Sequence, residues 1–179
     1  MIKVATSPVE ITFMTDELIV SKTDRNGNIT YANRTFMKVS NFSEQKILGN
    51  PHNIIRHPDM PKGVFYGLWK TLKSEREFFG FVKNITADGN YYWVFANITP
   101  DYLDGNVVGY YSVRRKASQQ AVATIEPFYQ QMLALEKNNK SSNVAEHSWQ
   151  WLTQQLQDTM DMNYEHAVLS VYQNNQEQG

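Results

Sequence analysis

The sequence predicts an α+β fold, a five-stranded antiparallel sheet with short helices on one face, followed by a C-terminal helical extension. Three observations carry this. Two β-rich runs flank an Asn26-Gly27 turn, residues 18–20 on one side and 29–31 on the other, which is the pattern of a hairpin. A stretch of short helical patterns and a polar loop then leads to one longer amphipathic helix from Pro61, with Val64, Phe65, Leu68, Trp69 and Leu72 recurring at three- and four-residue steps. Three strand patterns close the segment at residues 78–86, 90–99 and 107–115. They are joined by the links Ala87-Asp88-Gly89-Asn90 and residues 101–106. Strands, then helices, then a meander give an antiparallel sheet with helices segregated to one face and a cavity between the two layers.

The shorter elements follow from local chemistry. Asn33 stands where a cap would precede a helix carrying Phe36 and Val39 on one face. Ser43 opens a second short helix with Glu44 and Gln45 in its first turn and Ile47 and Leu48 facing inward, ended by Gly49. Past the sheet, Ala121, Ile125, Phe128, Met132 and Leu135 form an apolar stripe interrupted by Pro127, and residues 137–143 read as a polar hinge. A second stripe runs through Ala145, Trp149, Leu152, Leu156, Met160, Ala167 and Val171, and the pattern is lost from Gln173. The organisation expected is an N-terminal cap segment at residues 1–15, an α+β domain at 16–116 and helices at 117–179. The two stripes suggest an antiparallel helical pair or a dimer seam, or helices that cover the outer face of the sheet.

Composition removes several functions. The 17 basic and 18 acidic residues nearly cancel, so no broad field favours nucleic acid or an anionic membrane. The absence of cysteine excludes disulfides, thiolate nucleophiles, cysteine-ligated metal and cysteinyl photoadducts, and makes a cytoplasmic address the natural expectation. The first 15 residues lack the apolar core of a signal peptide, and nowhere do about 18 apolar residues run together to form a membrane span. His147 and His166, 19 residues apart, lack ligand spacing for a metal. No nucleophile–base pair or phosphate loop appears, so the chain is not expected to be an enzyme.

The chemistry concentrates in Asn53-Ile54-Ile55-Arg56-His57-Pro58-Asp59-Met60-Pro61, which places a cation, an imidazole and a carboxylate within four residues. The prolines forbid a regular helix or central strand there. Such a stiff polar loop suits ligand binding. Alternatively, Asp59 caps the helix beginning near Pro61 while Arg56 pairs with a surface carboxylate.

These residues resemble the flavin-binding PAS domain of the Aer-type aerotaxis receptor family over residues 16–116. The resemblance rests on Ile29-Thr30-Tyr31-Ala32-Asn33, Gly49-Asn50-Pro51-His52-Asn53, Val82-Lys83-Asn84 and Tyr92-Trp93-Val94-Phe95-Ala96-Asn97. Most specifically it rests on Arg56-His57-Pro58-Asp59-Met60-Pro61-Lys62. The resemblance implies a PAS fold that holds FAD without a covalent bond and reports redox state or oxygen to a chemotaxis or other signalling partner. By it Arg56, His57 and Asp59 contact the cofactor, and Asn33, Asn84 and Asn97 are candidate polar pocket residues. Family members often carry tryptophan two residues before the glycine of the third strand. Here that position is Phe78, which stacks but has no indole donor.

Residue chemistry agrees with that implication. A flavin needs an apolar or aromatic slot, for which Phe78 and Trp69 are candidates, polar groups for its pyrimidine edge, and a cation for its pyrophosphate. Asn84 and Asn97 each offer a donor and an acceptor, or are satisfied core amides. Arg56 can bridge two phosphate oxygens as a fork. His57 titrates near neutrality and either tunes a flavin's protonation or serves as a structural donor. Two other readings stay open: a haem-binding PAS oxygen sensor with His52 or His57 as axial ligand, and a cofactor-free PAS adaptor that dimerises or docks a partner. The family's receptors continue into a membrane anchor and a signalling coiled coil, patterns absent from these 179 residues. A homodimer formed by the C-terminal helices and acting on a partner in trans is therefore the expected form.

Overall fold

A computed structural model describes residues 2–176. Its sheet has five antiparallel strands in the order β2-β1-β5-β4-β3: β1 (Ile19–Asp24), β2 (Ile29–Ala32), β3 (Phe78–Ile85), β4 (Tyr91–Leu103) and β5 (Asn106–Lys116). The Asn-Gly turn does join β1 to β2, with Gly27 at φ +84°, a backbone that favours glycine. The β4–β5 hairpin is longer than the sequence suggests. Its strands continue past a bulge at Asp101/Tyr102 to a turn at Asp104-Gly105, both at positive φ.

Between β2 and β3 lie α1 (Arg34–Ser40), α2 (Glu44–Ile47), a 3-10 turn (His52–Ile55) and α3 (Lys62–Lys73). Asn33 caps α1: its Oδ1 accepts from the Phe36 N–H at 2.9 Å and from the Val20 N–H at 3.1 Å, while its amide donates to the Leu18 carbonyl at 2.8 Å. One side chain thus ties the start of α1 to β1.

The C-terminal region forms three helices, α4 (Gln119–Asn138), α5 (Val144–Met160) and α6 (Tyr164–Asn174). The second stripe, read from sequence as continuous, breaks where Asp161 adopts φ 54° and the Asn163 side chain caps the His166 N–H at 2.9 Å. Pro127, expected to interrupt the first stripe, is carried inside a continuous α4. Buried Ile125, Tyr129 and Met132 pin the helix on both sides of the one backbone bond it forgoes.

The three helices wrap the sheet. Tyr129 of α4 stacks on Trp93 of β4 and donates to the Phe81 carbonyl at 2.8 Å, and Tyr172 of α6 stacks on Phe95 with centroids 3.9 Å apart. On the opposite side α5 lies on α3, and Tyr164 at the start of α6 stacks on Phe78 of the edge strand β3. Leu152, Leu156, Ala167, Val168 and Val171 are buried in one apolar cluster with Phe36, Val64 and Phe95. Of the readings open for the two stripes, the structure shows the second packed within the chain, against α3 and the sheet. The N-terminal segment runs beside β4, with the Ile11 N–H donating to Tyr91 and Phe13 buried.

Leu156→Ala is therefore expected to lower folding stability by about 2–5 kcal/mol, the usual range for a fully buried leucine. Urea titration should show this as a midpoint shift that is the same at every protein concentration. A shift that grows on dilution would mean the leucine is buried between chains.

Candidate functional site

Strand alternation sends Val82 and Asn84 of β3, Ala96 and Ile98 of β4, and Ser112 and Arg114 of β5 to the face opposite α4. With Phe65, Leu68, Trp69 and Leu72 of α3 they enclose a cavity of about 380 Å³, inside the range of small-molecule sites. The amphipathic period of α3 supplies this wall, and the prolines before it aim the helix across the sheet. Trp69 meets Tyr110 of β5 edge-on at 5.4 Å, and Gly27 sits so close that an added Cβ would lie 3.3 Å from the Trp69 ring. Exposed Asn26, Pro51 and Asn53 form the mouth.

Of the residues anticipated from sequence, the structure brings Arg56, Asn84 and Trp69 to the cavity. Arg56 lays its guanidinium 3.8 Å over the Phe65 ring and donates to the Met60 carbonyl at 3.1 Å. Burial lowers its pKa, and Glu136 of α4 opposes that shift. Asn84 is buried, and its backbone bridges that of Arg56, so the loop adds itself to the free edge of β3.

The other anticipated residues lie elsewhere for identifiable reasons. His57 and Asp59 face away, because residues 56–60 run along the β3 edge. Lys83 binds the Asp59 carboxylate at 2.9 Å, and the Asp59 N–H donates to His57 Nδ1 at 3.1 Å. His57 is buried, which lowers its pKa against the opposing pull of Asp59, and its Nε2 has no partner among the described residues. Asn33 is consumed as a cap. Asn97 is odd-numbered on β4 and so faces outward, donating to Glu77 at 3.1 Å. Phe78 shares the inner face of β3 but lies toward its far end, under Tyr164.

Sequence reasoning missed Arg114. It is 2% exposed and lines the cavity, and no carboxylate among the described residues pairs with it. Its Nε donates to Ser112 Oγ at 2.9 Å, while its Nη2 donates to Ser21 Oγ and to His52 Nε2, the latter at 2.9 Å. The Phe36 ring lies 5.1 Å from the guanidinium, and Nη1 is buried with no partner among the described residues. Burial pushes its pKa down to about 10, so it remains a cation near neutral pH. The signal was present in β5, where Tyr110, Ser112 and Arg114 alternate in phase and so share one face.

His52 answers the Arg114 cation. Burial and the adjacent guanidinium hold its pKa down to about 3, so the ring is neutral and Nε2 accepts from Arg114. That lone pair is the one a haem iron would need, and His57 points out of the cavity; neither imidazole is arranged as an axial ligand.

A depressed folded-state pKa has a determinate sign. The unfolded chain, where histidine titrates near 6.5, takes up the proton first. The His52 contribution to stability is therefore complete above that pH and is lost progressively as pH falls toward 3. His57 acts in the same direction. Thermal melts between about pH 7.5 and about pH 5 should show a shallower loss of stability for His52→Gln than for the parent. Parallel profiles would mean that His52 is not held neutral.

Comparison with known proteins places this geometry. A family model described as the PAS fold matches residues 29–114. The Aerotaxis receptor of Escherichia coli (strain K12) is 43% identical over 119 residues, which are 66% of this chain and 24% of the receptor. The Nitrogen fixation regulatory protein of Klebsiella pneumoniae is 31% identical over 81 residues, 45% of this chain and 16% of that protein. The chain thus spans a quarter or less of the length of these relatives. The dark structure of the blue-light photoreceptor Aureochrome1 LOV superposes with a TM-score of 0.54 at 20% identity, covering 65% of this chain and 85% of that one. Residues 29–114 belong to a PAS-fold domain, and over 66% of its length the chain resembles an aerotaxis receptor.

Proposed function

We propose that this chain is a PAS sensory protein that holds a flavin, FAD, in the cavity between α3 and the sheet and passes its redox state to a signalling partner. The observation that carries the reading is Arg114, a buried cation lining an apolar cavity with its Nη1 unpartnered among the described residues. A cavity-binding ligand with a planar apolar body and an acceptor edge satisfies both features at once. The likeness to a receptor named for aerotaxis supports a flavin over other planar ligands, in line with the Arg-His-Pro-Asp loop on which the family resemblance rests.

A bound flavin supplies one- and two-electron redox chemistry. The protein's share is to bind, orient and tune. Leu68, Leu72, Val82 and Ile98 would exclude water from a bound ring, and Trp69 would offer it an aromatic edge. Asn84 presents a donor and an acceptor to the polar rim. Arg114, kept cationic and fixed by Ser21, Ser112 and neutral His52, sets a positive charge beside whatever acceptor it meets. Arg56, next to the exposed Asn53, would hold the pyrophosphate through guanidinium N–H groups beyond the one bound to Met60. The absence of cysteine removes thiol adducts from the chemistry available.

The signalling partner is a chemotaxis or other signalling protein acting in trans. A homodimer would have to form through a surface other than the buried C-terminal stripe. No described helix is long and apolar enough to cross a membrane.

Purified protein is expected to show flavin absorption bands and to release FAD on denaturation. A Soret band would indicate haem, and a featureless visible spectrum after expression with added riboflavin would reject both cofactors. Arg56→Ala should weaken FAD binding by about 1.5–3 kcal/mol, the worth of a hydrogen bond to a charged group, with little effect on FMN. Asn84→Ala should weaken both. Equal, mild losses of FAD and FMN in Arg56→Ala would remove the pyrophosphate role.

A further inference from the structure

Helix α3 has two working faces. Phe65, Leu68, Trp69 and Leu72 form the cavity wall, whereas Gly63 and Gly67 lie against the C-terminal helices. A Cβ at Gly67 would stand 2.4 Å from the Trp149 ring of α5, and one at Gly63 would stand 2.8 Å from Met132, from Ser148 Oγ and from the Trp149 backbone nitrogen. The two helices therefore touch backbone to ring, without a flexible side chain between them. The start of α3 is bound just as directly: Glu136 of α4 accepts the N–H groups of Lys62 and Gly63, both at 2.8 Å. This carboxylate sits at the positive end of the helix. Trp149 in turn leans on Tyr164 of α6, with ring centroids 4.5 Å apart.

We propose that α3 is the output element of this protein, a shared wall whose position is set by what the cavity holds and is read by α5 through Trp149 and by α4 through Glu136. This rests on the reading that the cavity takes a ligand, and it holds for any ligand that presses on Leu68 and Trp69. Close-packed contacts pass on a displacement because they have no slack to absorb it. The sheet is the alternative route, since β4 also faces the cavity on one side and the helices on the other. The two routes separate by experiment. Leu68 belongs to α3 and Ile98 to β4, and both line the same cavity.

The test is hydrogen exchange, followed by mass spectrometry, on the full chain. Leu68→Ala should raise exchange across residues 144–160 by about threefold or more relative to Ile98→Ala, as expected if α5 loses its footing when α3 relaxes. Equal exchange in the two variants, or a larger effect from Ile98→Ala, overturns the proposal. A second arm adds FAD to the parent and compares oxidised with dithionite-reduced protein. A change in 144–160 that is abolished by Trp149→Ala supports the coupling. Full flavin occupancy with unchanged exchange in 144–160 overturns it while leaving the cofactor assignment intact. Failure to bind flavin would count against the cofactor assignment alone, and the comparison of Leu68→Ala with Ile98→Ala would still decide the coupling.

Discussion

The rest of the structure depends on the fact that the first half of β4, residues 92–96, has almost no face for solvent. Its even residues, Tyr92, Val94 and Ala96, are buried toward the cavity side, and its odd ones, Trp93 and Phe95, are buried under α4 and α6. Antiparallel sheets commonly leave one face wet, with clean alternation along each strand. Here the alternation is replaced by the nearly continuous run Tyr92-Trp93-Val94-Phe95-Ala96, which demands a layer on each side. One layer is α3 with the short helices, which leave room for a ligand. The other is supplied by the C-terminal helices. That demand explains why most of the apolar stripe residues between 121 and 171 pack within the chain.

A cavity between two layers is stable only if its polar groups are answered, and the inner face of β5 sets the hardest case. Arg114 cannot shed its charge near neutrality, and burial leaves it no water. The chain answers with neutral acceptors, Ser21, Ser112 and His52, in place of a carboxylate. A carboxylate would cancel the positive field, while neutral acceptors hold the guanidinium in place and leave its charge directed into the cavity. The cost falls on His52, whose protonation is suppressed. Strain of this electrostatic kind is what a binding site tends to carry and a structural core tends to avoid.

The fold was legible because its signals are local and repeated: the Asn-Gly turn, the three- and four-residue period of α3 and the strand runs after it each specify an element without knowledge of the others. The site was only partly legible. Arg56, Asn84 and Trp69 line the cavity, and for these residue type and element together pointed inward. His57 and Asp59 were drawn in by their adjacency to Arg56, but a loop pairing with a strand edge turns successive side chains to opposite sides. Asn97 failed on parity, and parity could have been read from Ala96 and Ile98 on either side of it. Asn33 was claimed for two roles, and the cap used every polar atom it has. Arg114 was missed because an arginine followed by Arg115 and Lys116 at the end of a strand reads as a solvated basic run until β1 and β5 are known to pair, which brings Ser21 opposite Ser112.

The break between α5 and α6 shows why the C-terminal stripe misled. Residues 145–171 keep one apolar period, and period alone cannot reveal a change of direction. The reversal rests on Asp161 in the left-handed region and on Asn163 as a cap, both small polar residues that suit such positions. Turned there, the second half of the stripe lies along β3 and covers the free edge that would otherwise invite pairing with another chain. The apolar surface for which a seam between two copies was one reading therefore closes off one way for copies to associate, and it draws α5 and α6 onto the wall and edge of the cavity.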